Sequence, residues 1–238
     1  MNNLQFPQRP AAFLFDMDGT LYDSMPNHAR AWYEMIREQG IEASPEEFFL
    51  YEGATGAYTV NLLYQRAYGR DAAPEEVQRL YERKAEIFRS LPEPEVMPGA
   101  RELIAFVRAL PWRPATVLVT GSAQGSLLGR LDRDFPGAFP DHRRVTALNV
   151  SRGKPFPEPF LRGAEIAGAP PSACVAIDNA PLGVLSASRA GCCTVAVRTG
   201  PIPAVELSGA GADVVFENGV PELLEFMKSK FHAGADIH

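Results

Sequence analysis

With 238 residues, 46% of them hydrophobic and 22% charged, the chain can bury its own core as one globular domain, or as one domain plus an insertion. A net charge of −6 without a long basic run argues against a nucleic-acid partner, and no apolar stretch approaches the roughly 20 residues of a membrane span. The N-terminal MNNLQFPQRP has neither the charged head nor the apolar centre of a signal peptide, and the three cysteines lack CxxC spacing, so a soluble cytoplasmic protein in a reducing compartment is expected.

In chain order, AAFLF (11–15) is a short apolar run bounded by turn residues and is predicted to be a buried parallel strand. Residues 24–92 then carry helical patterning with no obvious strand. Ser24 can cap a first helix with Pro26 in its first turn, and Ala29, Trp32, Tyr33 and Ile36 follow helical spacing. Further helices are predicted at 45–50, 55–68 and 74–90, and LPEPEVMPG (91–99) is a proline-rich return. Helices at 99–110, 122–131, 157–168, 183–190 and 220–228 then alternate with strands at 115–120, 173–177 and 193–197. A weaker strand near Val145 and a last one at 213–216 join them; 198–211 is read as a loop and KSKFHAGADIH as a loose tail.

This alternation predicts an α/β protein with a Rossmann-like parallel-sheet core in three α/β/α layers. Residues 1–22 and 93–238 would form the core, and residues 23–92 a helical cap inserted after the first strand. Ligands of such sheets bind at the carboxyl ends of the strands, where Asp16, Thr120 and Asp178 fall. Tyr22–Met25 and Leu91–Gly99 are the expected hinges of a moving cap.

The chemistry is concentrated in four patches. FLFDMDGTLYDS (13–24) sets Asp16 and Asp18 on the first loop, where one carboxylate can attack a phosphoryl group and the other can move a proton. A calcium loop is the alternative, but the glycine comes too early and a strand precedes it. VLVTGS (117–122) offers the Thr120 hydroxyl, with Gly121 and Ser122 at a helix start, to a phosphate oxygen; ordinary helix capping has the same composition. GKPFPEPF (153–160) fixes Lys154 between Gly153 and Pro155, and VAIDNAPLG (175–183) puts Asp178 and Asn179 after a strand, where turn chemistry is the other reading. The four histidines (His28, His142, His232, His238) and the cysteines show no metal-ligand spacing.

In this order the patches resemble the haloacid dehalogenase-like hydrolase superfamily, from Phe13 to about Phe216. The resemblance implies that Asp16 is a nucleophile forming an aspartyl-phosphate and that Asp18 is its acid/base. It implies that Thr120 contacts the transferring phosphoryl group and that Lys154 offsets the charge on Asp16. Asp16, the backbone carbonyl of Asp18, Asp178 and Asn179 would hold Mg²⁺. Two carboxylates could then coexist because a cation and a lysine surround one while the other can carry a proton. Many members of the subfamily have Glu-Asp in place of Asp178-Asn179, so a weaker Mg²⁺ site is expected here.

The inserted segment looks like the cap of the β-phosphoglucomutase-like subfamily, with His28 of DSMPNHARAW (23–32) matching a histidine near the acid/base aspartate. The next loop, YEGATGAYTVN (51–61), departs from the mutases. Glu52 and Gly56 stand where they carry a lysine and an arginine, and an acid there would repel a bare sugar phosphate. It suits a substrate that arrives as a magnesium complex, or a leaving phosphate that needs a proton; inorganic pyrophosphate has both properties, and these stretches together resemble a bacterial inorganic pyrophosphatase branch. Glu52, His28, Gly121 and Ser122 are the expected substrate-side residues. Haloacid dehalogenases do not need Asp18; phosphonate hydrolases use a cap lysine, and the only one, Lys84, is expected on a solvated helix face. The expected partner is a small phosphorylated substrate, with a sugar phosphomutase, a general small-metabolite phosphatase and a non-catalytic phosphate-binding module as alternatives. Oligomeric state has no marker.

Overall fold

A computed structural model describes residues 6–122 and 125–232. Six parallel strands, β1 (Ala12–Phe15), β2 (Ala115–Val119), β3 (Arg144–Val145), β4 (Cys174–Asp178), β5 (Cys193–Val197) and β6 (Val214–Phe216), form one sheet in the order β3-β2-β1-β4-β5-β6. The chain reverses its direction of growth at β1 and β4, which leaves a crevice beyond their carboxyl ends.

Side-chain alternation along β1 builds the layers. Phe13 and Phe15 pack with Leu103 and Val107 of α4 (Ala100–Ala109) and with Leu223 and Met227 of the last helix (Gly219–His232). Ala12 and Leu14 face the other way, toward Phe160 and Ala164 of a helix at Glu158–Ala167 and Ala187 of one at Pro181–Ala190. Covered on both faces, the central strands are continuous apolar runs. The sheet is thus a Rossmann-like α/β core. Among the described residues no helix is long and apolar enough to cross a membrane.

Between β1 and α4 lie α1 (Met25–Glu38), α2 (Gly56–Tyr68) and α3 (Pro74–Ser90); α1 and α2 both pack on α3. Their inward residues include Trp32, Ile36, Val60, Leu63, Leu80 and Phe88. The chain enters and leaves this helical insertion side by side. Tyr22 and Val96 form an antiparallel bridge, flanked by Asp23 N–H donating to the Glu95 carbonyl (2.9 Å) and Met97 N–H to the Leu21 carbonyl (2.9 Å).

Four expectations change. The predicted helix at 45–50 is a single 3₁₀ turn, Glu46–Phe49. Of the one predicted at 122–131, residues 123–124 lie outside the described part and the rest holds two short pieces, α5 (Gly125–Leu128) and α6 (Leu131–Asp134), parted at Gly129. After α7 (Glu158–Ala167) and α8 (Pro181–Ala190), the presumed loop at 198–211 contains α9 (Ala204–Gly209), held by Leu207 against Val184, Ala196 and Ile202. The last helix, α10, takes up Lys228–His232 of the supposed tail, because the Phe231 ring packs edge-on against Phe6 and Trp112. Residues 233–238 lie outside the described part.

Candidate active site

The loop after β1 is a tight turn built on its own backbone. Asp16 N–H extends the ladder to the Ile177 carbonyl (2.9 Å), Met17 accepts from Leu21 (2.9 Å) and Tyr22 (3.0 Å), and Gly19 donates to Tyr22 (2.7 Å). Gly19 has φ +82°, and a Cβ there would collide with Asn179 and Glu52, so only glycine allows this turn beneath those side chains.

Lys154 is the centre of charge. It is 1% exposed, and its Nζ donates to Asp16 Oδ1 (2.5 Å) and Asp178 Oδ2 (2.8 Å). Asp178 ends β4; its Oδ1 accepts from Ala180 N–H (3.1 Å), and Gly183 leaves room for the carboxylate, because a Cβ at that position would overlap it. Burial pushes the Asp16 carboxyl up to about 8 against the pull of Lys154, with Asp178 and Asp18 adding repulsion. Asp16 Oδ2 is the one buried side-chain polar atom without a hydrogen-bond partner among the described residues.

That orphan oxygen is where a hard cation fits. A divalent ion there would satisfy Oδ2 and favour the ionised form of Asp16, with Asp178 and the Asn179 amide oxygen as neighbouring oxygen donors. Among the described residues no three His, Cys, Asp or Glu side chains are grouped to cage a metal by themselves. A few oxygen donors beside open space match Mg²⁺, which keeps several waters.

Asp18 has a different environment. Its Oδ1 accepts from Ser24 Oγ (2.7 Å) and lies 2.9 Å from His28 Nε2, and Thr120 Oγ1 stands at 3.5 Å from Oδ2. Burial raises the Asp18 carboxyl, but His28 and Ser24 together bring it below the usual carboxylate range. Of the two carboxyls on this loop, Asp18 is thus the lowered one and Asp16 the raised one. Ser24 makes no side-chain cap on α1; its hydroxyl serves Asp18 instead.

Lys84 overturns its expected solvated face. It is 2% exposed, because Leu80, Lys84, Ile87 and Phe88 all fall on the inward stripe of α3. Its Nζ sits 2.5 Å from His28 Nδ1 and lies over the rings of Trp32 (5.2 Å), Phe88 (5.2 Å) and Tyr81 (6.0 Å). Burial lowers the amine to about 7. Burial and then Lys84 hold His28 below the ordinary imidazole value, so a neutral ring accepts from Lys84 at Nδ1 and donates to Asp18 from Nε2.

These groups meet in a pocket of about 50 Å³ between insertion and core, bordered by Asp16, Asp18, Glu52, Lys84, Thr120 and Ser122, with Gly121 also on its wall. Glu52 is buried, accepts from Asn179 Nδ2 (2.9 Å), and is pushed well above the carboxylate range by burial. Tyr81 lies across Gly56, where any Cβ would strike its ring. Gly121 lets the 53–54 backbone settle directly on the core. Ser122 N–H donates to Thr120 Oγ1 (3.0 Å), and Ser122 itself is not helical; residues 123–124 lie outside the described part. Ser24, Tyr81 and Lys84 were missed as site residues; for Lys84 the spacing with Leu80, Ile87 and Phe88 was the available signal.

A buried Asp–Lys–Asp cluster at the switch point of a Rossmann-like sheet, roofed by a helical insertion, defines a site for phosphoryl-transfer chemistry. A family model of haloacid dehalogenase-like hydrolases matches residues 10–191, and the chain belongs to that family. Hexitol phosphatase A of Escherichia coli is 33% identical, over 80% of this chain and 84% of that protein. A β-phosphoglucomutase of Mycobacterium bovis is 29% identical, over 89% and 91%. A Bacteroides vulgatus structure with a provisional β-phosphoglucomutase name superposes with a TM-score of 0.88 at 38% identity, covering 96% of this chain and 91% of that one.

Proposed function

We propose that the protein is a Mg²⁺-dependent phosphohydrolase that works through an aspartyl-phosphate on Asp16, with inorganic pyrophosphate as its preferred substrate. The observation that carries the substrate is the roof of the pocket: a buried acid, Glu52, beside a bulky ring, Tyr81, over a space of about 50 Å³. Glu52 on this wall suits a substrate whose distal phosphate arrives with its own cation, as magnesium pyrophosphate does, better than a bare sugar phosphate.

In this mechanism Asp16 Oδ attacks phosphorus while Lys154 offsets the charge gathered on Asp16 and the phosphoryl oxygens. Thr120, on the pocket wall, supplies a hydroxyl to the same oxygens. Mg²⁺, held by Asp16, the Asp18 carbonyl, Asp178 and Asn179, would supply charge neutralisation at the transferring group. Asp18, kept anionic by Ser24 and His28, is a poor proton donor and a ready base for the water that cleaves the aspartyl-phosphate. That arrangement suits a leaving group that departs unprotonated. Phosphate is a far weaker base than a sugar alkoxide and needs less help from a proton to depart.

A sugar-phosphate phosphatase is the second reading, favoured by the 33% identity to hexitol phosphatase A. Phosphate release with Mg²⁺ from pyrophosphate, hexitol and hexose phosphates and β-glucose 1-phosphate separates them. The expectation is a pyrophosphate preference of at least about a hundredfold in kcat/KM, lost by tenfold or more in Glu52→Ala and wholly in Asp16→Asn. A hexitol or hexose phosphate as best substrate would replace the substrate assignment, and isomerisation to the 6-phosphate would make the protein a mutase. Full turnover by Asp16→Asn would sink the mechanism.

A further inference from the structure

A second cavity, of about 250 Å³, lies on the far side of Glu52, walled by Gly19, Asp23, Glu52, Asn179, Thr199 and the edge of Phe49. Glu52 borders both cavities, while Asn179, one of the residues assigned to the metal, borders this one. Met25 and Glu52, which border both, form the partition between them, closed by the Asn179 Nδ2 to Glu52 Oε1 hydrogen bond (2.9 Å), with Thr20 Oγ1 donating to Asn179 Oδ1 (3.3 Å). Gly19 adds no side chain to it, and Thr199 Oγ1 fixes the back of the turn by donating to the Gly19 carbonyl (2.5 Å).

The two cavities differ in their basic groups. The main pocket is bordered by Asp16, Asp18 and Glu52 but also by Lys84 and His28, and Lys154 is bonded to its Asp16. The side cavity offers the exposed Asp23 carboxylate, the Glu52 carboxyl, an amide and a hydroxyl, and none of its described lining residues is cationic. The insertion is docked over the main pocket: the Ala54 and Lys154 backbones form a bridge, and Phe49 packs with Ile202 of the core. A hexahydrated Mg²⁺, six waters at about 30 Å³ each, occupies on the order of 180 Å³ and fits the side cavity without shedding its shell.

We propose that the side cavity is the path by which the divalent cation and its waters exchange while the insertion stays docked, with Asp23 at its rim steering the ion inward. This rests on the assignment of Asp16, Asp178 and Asn179 to the metal. Substrate and cation then use separate doors, and the Glu52–Asn179 pair is the inner gate of the second. The Asp23 side chain is exposed while its backbone N–H is fixed to Glu95, so its charge can be changed without moving the turn.

The test follows Mn²⁺ binding to the full chain by stopped-flow quenching of protein fluorescence, with the equilibrium constant from electron paramagnetic resonance. Asp23→Lys is expected to slow association about tenfold at low ionic strength, and the loss should vanish near 1 M salt, where the Debye length is about 3 Å. Gly200→Leu narrows the cavity where a Cβ meets only the edge of Phe49, at 3.7 Å. It should slow association and dissociation by the same factor at any salt and leave Kd unchanged. Unchanged rates in both variants overturn the path. So does an Asp23→Lys effect confined to dissociation, which would make Asp23 part of the binding site. Wild-type protein that binds no Mn²⁺ would remove the metal assignment itself, whereas a different best substrate would leave both results standing.

Discussion

Replacing Lys84 by methionine tests the buried chain of Lys84, His28 and Asp18. Burial takes the amine from the usual 10.5 to about 7, which at about 1.4 kcal/mol per pH unit is a penalty on the order of 5 kcal/mol whenever the lysine is charged. Against that stand the hydrogen bond to His28, whose loss costs about 1–3 kcal/mol, and contacts with three aromatic faces worth about 1 kcal/mol. Lys84→Met should therefore gain about 1–3 kcal/mol of stability at pH 6. The sign reverses with pH. Between about 7 and 10.5 the unfolded chain holds a proton that the folded one has lost, so wild-type stability gains with pH relative to the variant. By pH 10.5 the penalty is gone and the variant is the weaker protein. Urea unfolding of both proteins from pH 6 to 10.5 measures the difference directly. A difference that stays constant with pH would refute a depressed amine at Lys84. Activity should fall about a hundredfold in the same variant, because His28 loses the partner that fixes its tautomer toward Asp18.

Tyr81→Ala should open the roof over Gly56 and raise kcat/KM for hexose phosphates relative to pyrophosphate by about tenfold; an unchanged ratio would show that the ring does not limit substrate size. Without metal, the raised Asp16 carboxyl contributes stability that is full below about pH 4 and is lost as pH rises through about 8. Calorimetry in chelator should show that decline in the wild type, Asp16→Asn should reduce it, and Mg²⁺ should flatten it. Gly183→Ala drives a methyl group into the Asp178 carboxylate, so turnover should collapse by at least about a hundredfold with the sheet retained by circular dichroism.

The carboxylates of the core were legible because a buried parallel strand ends abruptly in them. FLFD and VAID each switch from continuous apolar residues to acid in one step, and few structures other than a ligand-binding strand end need that pattern. Lys154 was legible only in company, since its burial depends on Asp16 and Asp178, which lie 138 and 24 residues away. Lys84 was not, because a charged residue within a helix rich in Glu and Arg has the composition of a wet surface; its inward spacing is outweighed by its type. Ser24 carried a misleading signal, as the residues that cap helices also make hydroxyl donors to a carboxylate. Both extra helical stretches near the C-terminus rest on distant apolar contacts, Leu207 with Val184 and Phe231 with Trp112, which no local pattern reports.

The bridge between Tyr22 and Val96 makes the helical insertion a graftable unit. Its two ends leave the core within one hydrogen bond of each other, so the sheet experiences the insertion as a loop already closed. A replacement segment twice as long would add only about 0.6 kcal/mol of closure entropy. The core retains Asp16, Lys154 and Asp178, whereas Glu52, Tyr81 and Lys84 travel with the graft. Exchanging that one segment can therefore re-address the same bond-breaking apparatus to a new molecule, leaving the scaffold and its stability largely in place.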